Sequence, residues 1–313
     1  MSVRPAERVY RSWVIDSRNW AQYRPRRDDI VIATYPKCGT TWMQRIVSLL
    51  VFQTPEPQPV MEISPWIDRR GREPVEAVMA RINAQDHRRF LKAHLPADGL
   101  PIFDEVKYLH VARDGRDACL SFHNHGAGLS AEALDRLDRN GLEDATIGRP
   151  YPRIPADPAE YFHRWLFEDV DPGYGQGSPA TSFFHFERTR WGERHRPNVL
   201  LVHYNDLTAD LAGEMRRVAD FLGIRVAPQA WPGLVAAAGF EAMRRNGDLL
   251  MGSVAGSFQG GGSRFFHQGA IGRWRGLFRN DDLAQYDARF MAELPPACAH
   301  WVMHGRSGPQ YDR

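Results

Sequence analysis

The run Asp29-Ile30-Val31-Ile32-Ala33-Thr34-Tyr35-Pro36-Lys37-Cys38-Gly39-Thr40-Thr41-Trp42 decides the fold. A short apolar segment, residues 29–34, gives way to a tight loop and then to an apolar-periodic stretch over Thr40–Phe52, which reads as strand, loop and helix. A helix N-terminus presents unpaired N–H groups and a partial positive charge, so a loop at that point holds a phosphate with little further help. Gly39 permits close backbone approach, Thr40 and Thr41 add hydroxyl donors, and Lys37 adds charge. The loop is not a Walker A motif: the GxxxxGK[ST] spacing is absent and the lysine precedes the glycine.

Outward from this unit the pattern repeats. The helix stops before Thr54-Pro55-Glu56-Pro57, where the prolines exclude α geometry. Residues 90–94 form a second strand, preceded by a helical stretch near 74–82. Lys107–Ala112 is a third strand, followed by a helix over 114–122 that Asp114 opens on the favourable side of the helix dipole. A fourth strand at 198–204 leads into a helix across Leu211–Leu222 that Gly223 terminates. Strands alternating with helices imply a parallel sheet covered on both faces, an α/β fold. Residues 130–196 carry helical patterns, clearest at 160–170, between Pro- and Gly-rich turns. The glycine-rich segment 247–262 has little to pack and is expected to be mobile, either a lid or a plain surface loop. No internal repeat or boundary appears, so residues 1–313 are expected to form one domain.

The 40 Lys+Arg nearly cancel 38 Asp+Glu for a formal charge of +2, so no whole-molecule field argues for nucleic acid or a membrane surface. Any anion site is therefore local. Cys38, Cys119 and Cys298 are too scattered for a disulfide framework, no signal-peptide core opens the chain, and no stretch of about 18 apolar residues occurs. These features point to a cytoplasmic protein without membrane insertion.

The loop at 35–42 resembles that of the sulfotransferases dependent on 3′-phosphoadenosine 5′-phosphosulfate (PAPS), which reads Tyr-Pro-Lys-Ser-Gly-Thr-Thr-Trp; only Cys38 differs. Lys92-Ala93-His94-Leu95-Pro96 is similar to the family's Lys-Thr-His-Leu-Pro, whose histidine is the catalytic base. Arg113 and Ser121 match the pair that binds the 3′-phosphate; eight residues apart, about two helical turns, they can converge on one anion. Tyr204 matches a tyrosine that contacts adenine, and Phe240 and Met243 fit a segment whose Phe, with the loop tryptophan Trp42, sandwiches the base. Residues 267–275, including His267, Gln268 and Gly269, resemble the late nucleotide-binding segment. The resemblance implies a P-loop-NTPase-like three-layer fold with PAPS as donor and PAP as product. It also implies no metal, and a small acceptor carrying a hydroxyl or amine. In that mechanism His94 accepts the acceptor's proton, Lys37 stabilises the leaving oxygen and Lys92 the sulfuryl oxygens, while Ser121 holds Lys37 back until an acceptor arrives.

The late segment departs from the family: its Arg-Lys pair is His267-Gln268, leaving Arg264 or Arg273 to supply the charge, and the usual dimer motif is not matched at 275–284. Arg113 has a plainer reading as a partner of Asp114 or Asp117. His123 and His125 suggest a metal pair, but a polar helix end explains them more simply. Cys38, at a helix N-terminus, is expected to have a lowered thiol pKa, although an inert exchange for serine is favoured. Two rival functions remain. A kinase or NTPase needs a lysine after the glycine and an acidic Mg²⁺ ligand; a non-catalytic nucleotide-binding scaffold needs neither Lys37 nor His94. The acceptor itself is not legible, beyond pocket walls expected near Trp66, residues 122–127, Tyr161 and residues 247–262.

Overall fold

Alternation along buried strands decides which helices cover which face. The computed structural model describes residues 2–167 and 183–306. Strands β1 (Ser2–Arg4) and β4 (Ile102–Phe103) make a small antiparallel ribbon. The main sheet contains β2 (Ile30–Ala33), β3 (Phe90–Ala93), β5 (Lys107–Ala112) and β6 (Val199–His203), all parallel, in the order β3-β2-β5-β6. Every residue of β2 is buried, as a strand with both faces covered requires. Ile30 and Ile32 join Phe90, Leu109 and Val111 on one face, under α1 (Thr40–Phe52), α9 (Leu211–Leu222) and α10 (Trp231–Ala238). Val31 and Ala33 join Leu91, Ala93 and Tyr108 on the other. That face is roofed by α4 (Gly115–Ala127), α6 (Pro158–Phe167), α7 (Phe183–Gly192), α14 (Asn280–Glu293) and α15 (Pro296–His304). The result is the expected three-layer α/β architecture.

The chain leaves β2 to build β3 on one flank and returns to place β5 on the other, so the loops after β2 and β5 diverge at a switch point. Crevices at the carboxyl ends of such strands are where ligands bind in open α/β sheets. Registers Ala33↔Ala93 and Ala112↔His203 level the ends within each pair, while Ile32↔Leu109 lets β5 and β6 run past β2 and β3; Thr34, His94, Arg113 and Tyr204 all leave at this carboxyl edge.

Two expectations change. Helix α4 runs to Ala127, beyond residue 122, and carries Asn124 and His125 with it. The segment 247–262 is folded: α12 (Gly247–Met251), a 3-10 turn (Gly252–Ser257) and the start of α13 (Gly261–Phe265). Leu250, Met251 and Phe258 are buried in a third cluster with Val60 of α2 (Val60–Ile63) and with Leu137 of α5 (Ala131–Leu142). Those few apolar residues suffice because their partners lie far away in sequence. The helix expected at 160–170 is α6, whose reading past residue 167 falls outside the described residues.

Candidate active site

A cavity of about 640 Å³ opens at the carboxyl edge of the sheet. At one end lies the loop read from sequence. Gly39 caps α1 with φ 110°, a left-handed conformation, and a Cβ there would meet the Tyr204 ring at 3.2 Å. With no side-chain cap on α1, its first amides stay free for an anion. Lys37, with φ 69°, also lies in the left-handed region, a conformation a non-glycine residue holds only when its surroundings impose it. Thr34, just past β2, ties this loop down: its hydroxyl shares a 2.5 Å hydrogen bond with Thr40. Thr41, Trp42, Tyr204, Phe240, Met243, His267, Gln268 and Gly269 line the same end. The Trp42 ring meets Tyr204 edge-on at 5.2 Å, and its Nε1 donates to the Ala238 carbonyl.

Cys38 does not join them. Its side chain is buried in the core, and burial pushes the thiol well above its usual pKa, opposite to the lowering expected at a helix N-terminus. Arg113 donates to the Lys37 carbonyl (3.2 Å) and the Ala270 carbonyl (3.0 Å) and stacks on Tyr204 at 4.2 Å. Its Nε is buried with no partner among the described residues. Arg113 makes no ion pair with either neighbouring carboxylate: Asp114 pairs with Arg116, and Asp117 accepts from the Gly272 and Arg273 amides while feeling the Arg113 charge at longer range. Of the two replacement arginines, Arg264 donates to Asn124, whereas Arg273 lines the cavity near Arg113. Ser121 faces the cavity from α4 without a hydrogen bond to Lys37.

The reactive centre lies where the loops after β2 and β3 meet. His94 is 5% exposed, and its Nδ1 is 2.8 Å from the Thr34 carbonyl. A carbonyl only accepts, so Nδ1 carries the proton and the neutral ring keeps its lone pair on Nε2. Burial first, then the charge of Lys92, holds this imidazole well below its ordinary pKa. Lys37 and Lys92 line the same cavity as His94. Burial and neighbouring cations, Lys92 and Arg113 for Lys37 and Arg69 for Lys92, push each ammonium down to about 7. The site thus gathers basic side chains around two neutral imidazoles, His94 and His125, an arrangement suited to a polyanion.

A family model described as "Sulfotransferase domain" matches residues 27–295. This chain belongs to the sulfotransferase family. It is 35% identical over 311 residues to a glycolipid sulfotransferase of Mycobacterium tuberculosis, covering 96% of this chain and 95% of that one. It is 25% identical to human Sulfotransferase 1C2, over 91% and 90% of the two chains. In fold it is similar to retinol dehydratase, solved in complex with androsterone and inactive cofactor PAP (TM-score 0.70, 22% identity, 92% and 87% covered). Mouse sulfotransferase SULT7A1, complexed with PAP, aligns at TM-score 0.64 and 18% identity over 88% and 86%.

Around its reactive centre the sulfotransferase places residues that sequence reasoning passed over. Asp68, fully buried, accepts from the His94 amide (3.0 Å), Trp66 Nε1 (2.7 Å) and Trp20 Nε1 (3.1 Å), fixing the base and the indole beside it. No local motif marks Asp68, because its partners lie before and after it in sequence. His125, which reads in the sequence as part of a polar helix end, has its Nδ1 3.4 Å from Lys37 Nζ, and the Phe265 ring lies 4.0 Å beneath the same ammonium. His123 turns away to the Pro155 carbonyl, so the two histidines do not converge. Of the expected walls, Trp66, Phe122 and the 247–262 segment line the cavity, whereas Tyr161 packs in the core.

Proposed function

We propose that this sulfotransferase takes its sulfuryl group from PAPS, releases PAP and sulfates a hydroxyl of an amphiphilic small molecule, with His94 as general base. The observation that carries this reading is the fixed His94 tautomer, whose lone pair belongs to the cavity shared with Lys37 and Lys92. PAPS, when bound, supplies the sulfuryl group on a phosphate leaving group. The residues fit it: free α1 amides, an unpartnered Arg113 Nε, and an aromatic wall of Trp42, Tyr204 and Phe240. Cys38, Gly39, Thr40, Thr41 and Met243 complete that cradle through backbone or packing, Cys38 by its backbone alone. Arg113, Ser121 and Arg273 hold the 3′-phosphate beside His267, Gln268 and Gly269. His94 Nε2 takes the proton of the attacking hydroxyl as the oxygen–sulfur bond forms. Lys37 hydrogen-bonds the phosphate oxygen that departs with the electron pair, and Lys92 holds the sulfuryl oxygens.

Residues 1–313 act as one catalytic domain in this reading. The acceptor half of the cavity carries apolar and aromatic walls (Leu129, Leu137, Tyr151, Val254, Phe258), which suits a lipid-like alcohol or phenol. The relative described as a glycolipid sulfotransferase agrees with that class. Among the described residues no helix is long and apolar enough to cross a membrane, and all three cysteines are free and buried, which favours a cytoplasmic setting.

The test is transfer of ³⁵S from labelled PAPS to a panel of phenols, lipid alcohols and amines, with and without Mg²⁺, for the wild type and His94→Gln. Metal-independent transfer that falls about 10²–10⁴-fold in the variant, with PAP binding kept, is expected. Full activity of His94→Gln would remove the base assignment, and ATP turnover with Mg²⁺ would remove the donor.

A further inference from the structure

Besides Arg81, which Glu73 holds, three guanidinium groups line the acceptor half of the cavity: Arg69 after β3's neighbour Trp66, Arg72 beyond it, and Arg136 from α5. Their pairing is unusual. Among the described residues, the side chains of Arg69 and Arg136 make no hydrogen bond or ion pair, and Arg69 Nε is buried without a partner. Arg72 donates only to the Ser253 hydroxyl (3.1 Å). The carboxylates nearby are otherwise engaged: Glu73 holds Arg81 through two hydrogen bonds of 2.7 and 2.8 Å, and Glu62 accepts from the Ser253 amide. Burial, then the charges of Arg136 and Arg72, push Arg69 down to about 10, so the three groups lie close enough to oppose one another.

Among the described residues none of the three forms an ion pair, although Glu62 and Glu73 of the same cavity act on Arg72 at longer range; cations so weakly compensated in a partly desolvated wall cost folding free energy that an anionic ligand returns. The fork geometry of arginine matches planar or tetrahedral oxyanions. Trp66 fixes where such an anion lies relative to the chemistry. Arg69 Cζ stands 4.9 Å from its indole, and the His94 ring centroid 4.8 Å, edge-on. A ligand whose hydroxyl meets His94 therefore has its oxyanion across a single indole, with its apolar body against Leu137, Val254 and Phe258.

We propose that the acceptor is itself an anion: a hydroxylated amphiphile bearing a carboxylate, sulfate or phosphate seated on Arg69, Arg72 and Arg136. This rests on the sulfotransferase reading and names the substrate class for its acceptor half.

The experiment separates the two. Full-length protein is first saturated with PAP, then titrated by fluorescence with 1-anilinonaphthalene-8-sulfonate and with N-phenyl-1-naphthylamine, the same rings without the sulfonate. The anionic dye is expected to bind about tenfold or more tighter, and Arg69→Gln and Arg136→Gln each to remove most of that advantage while leaving the neutral dye and PAP unchanged. Equal affinity for both dyes, or an advantage that survives both substitutions, overturns the proposal while the donor reading stands. Failure to bind PAP, measured before either dye is added, overturns the donor reading itself. Matched sulfation assays with a long-chain hydroxy acid and its methyl ester then extend the result: a higher kcat/KM for the acid supports the anionic subsite, and preference for the ester opposes it.

Discussion

Raising the pH from 6 to 9 should loosen the donor and make its binding take up protons. Lys37 and Lys92 each have a pKa of about 7 against an ordinary 10.5, because burial and adjacent cations disfavour the charged forms. At pH 8 roughly nine-tenths of each is neutral in the free protein. An anionic donor binds the ammonium forms, so its arrival raises both pKa values and draws protons from solvent. PAP, which reaches Lys37, should take up close to one proton per site at pH 8, and PAPS, which also reaches Lys92, close to two. Affinity for PAPS should then fall by up to about tenfold per pH unit for each lysine above pH 7. Below about pH 6 the lysines are already charged, and the donor's own phosphate, with a second pKa near 6, releases protons instead, reversing the sign. Calorimetric titration in buffers of different ionisation enthalpy reads the proton count directly. Lys37→Met should abolish the uptake with PAP. Zero uptake and flat affinity from pH 6 to 9 would refute the assignment of these lysines to the donor.

Two further substitutions probe the supports of the site. Asp68→Ala leaves the His94 amide and two indole N–H groups without an acceptor, at about 1–3 kcal/mol for each buried group left unpaired, so thermal unfolding should show a drop in Tm of many degrees, and Asp68→Asn a smaller one. Arg273→Gln should weaken PAP about tenfold or more relative to adenosine 5′-phosphate, whereas Arg264→Gln, already committed to Asn124, should change that ratio little; equal effects in competition binding would contradict the placement of the 3′-phosphate.

The donor end of this molecule was legible because its signals are local. Residues 29–42 encode strand, loop and helix in one stretch, and the helices Thr40–Phe52 and Leu211–Leu222 have the bounds their periodicity implies. Lys92 and His94 stand two apart at the end of a strand, so one motif delivers both. What escaped depends on distance in sequence. Asp68 meets His94 from 26 residues away, and His125 meets Lys37 from 88. Segment 247–262 has little to pack when read alone, yet Phe258 and Met251 are buried where α2, α5 and α12 come together. Cys38 illustrates a different failure: position in a helix cap argues for a lowered thiol pKa, and burial, which the motif does not reveal, reverses it.

Thr34 has a consequence for how such a protein changes over time. Its carbonyl anchors the imidazole, its hydroxyl braces Thr40, and its amide donates to Ala93 on the next strand. The alignment between proton acceptor and leaving group is thus referenced to one residue at the carboxyl end of a buried strand, and neither can drift without the other. The walls that α5 and the 3-10 turn bring to the acceptor carry no such reference. Those walls are free to be remodelled for new substrates on an unchanged chassis.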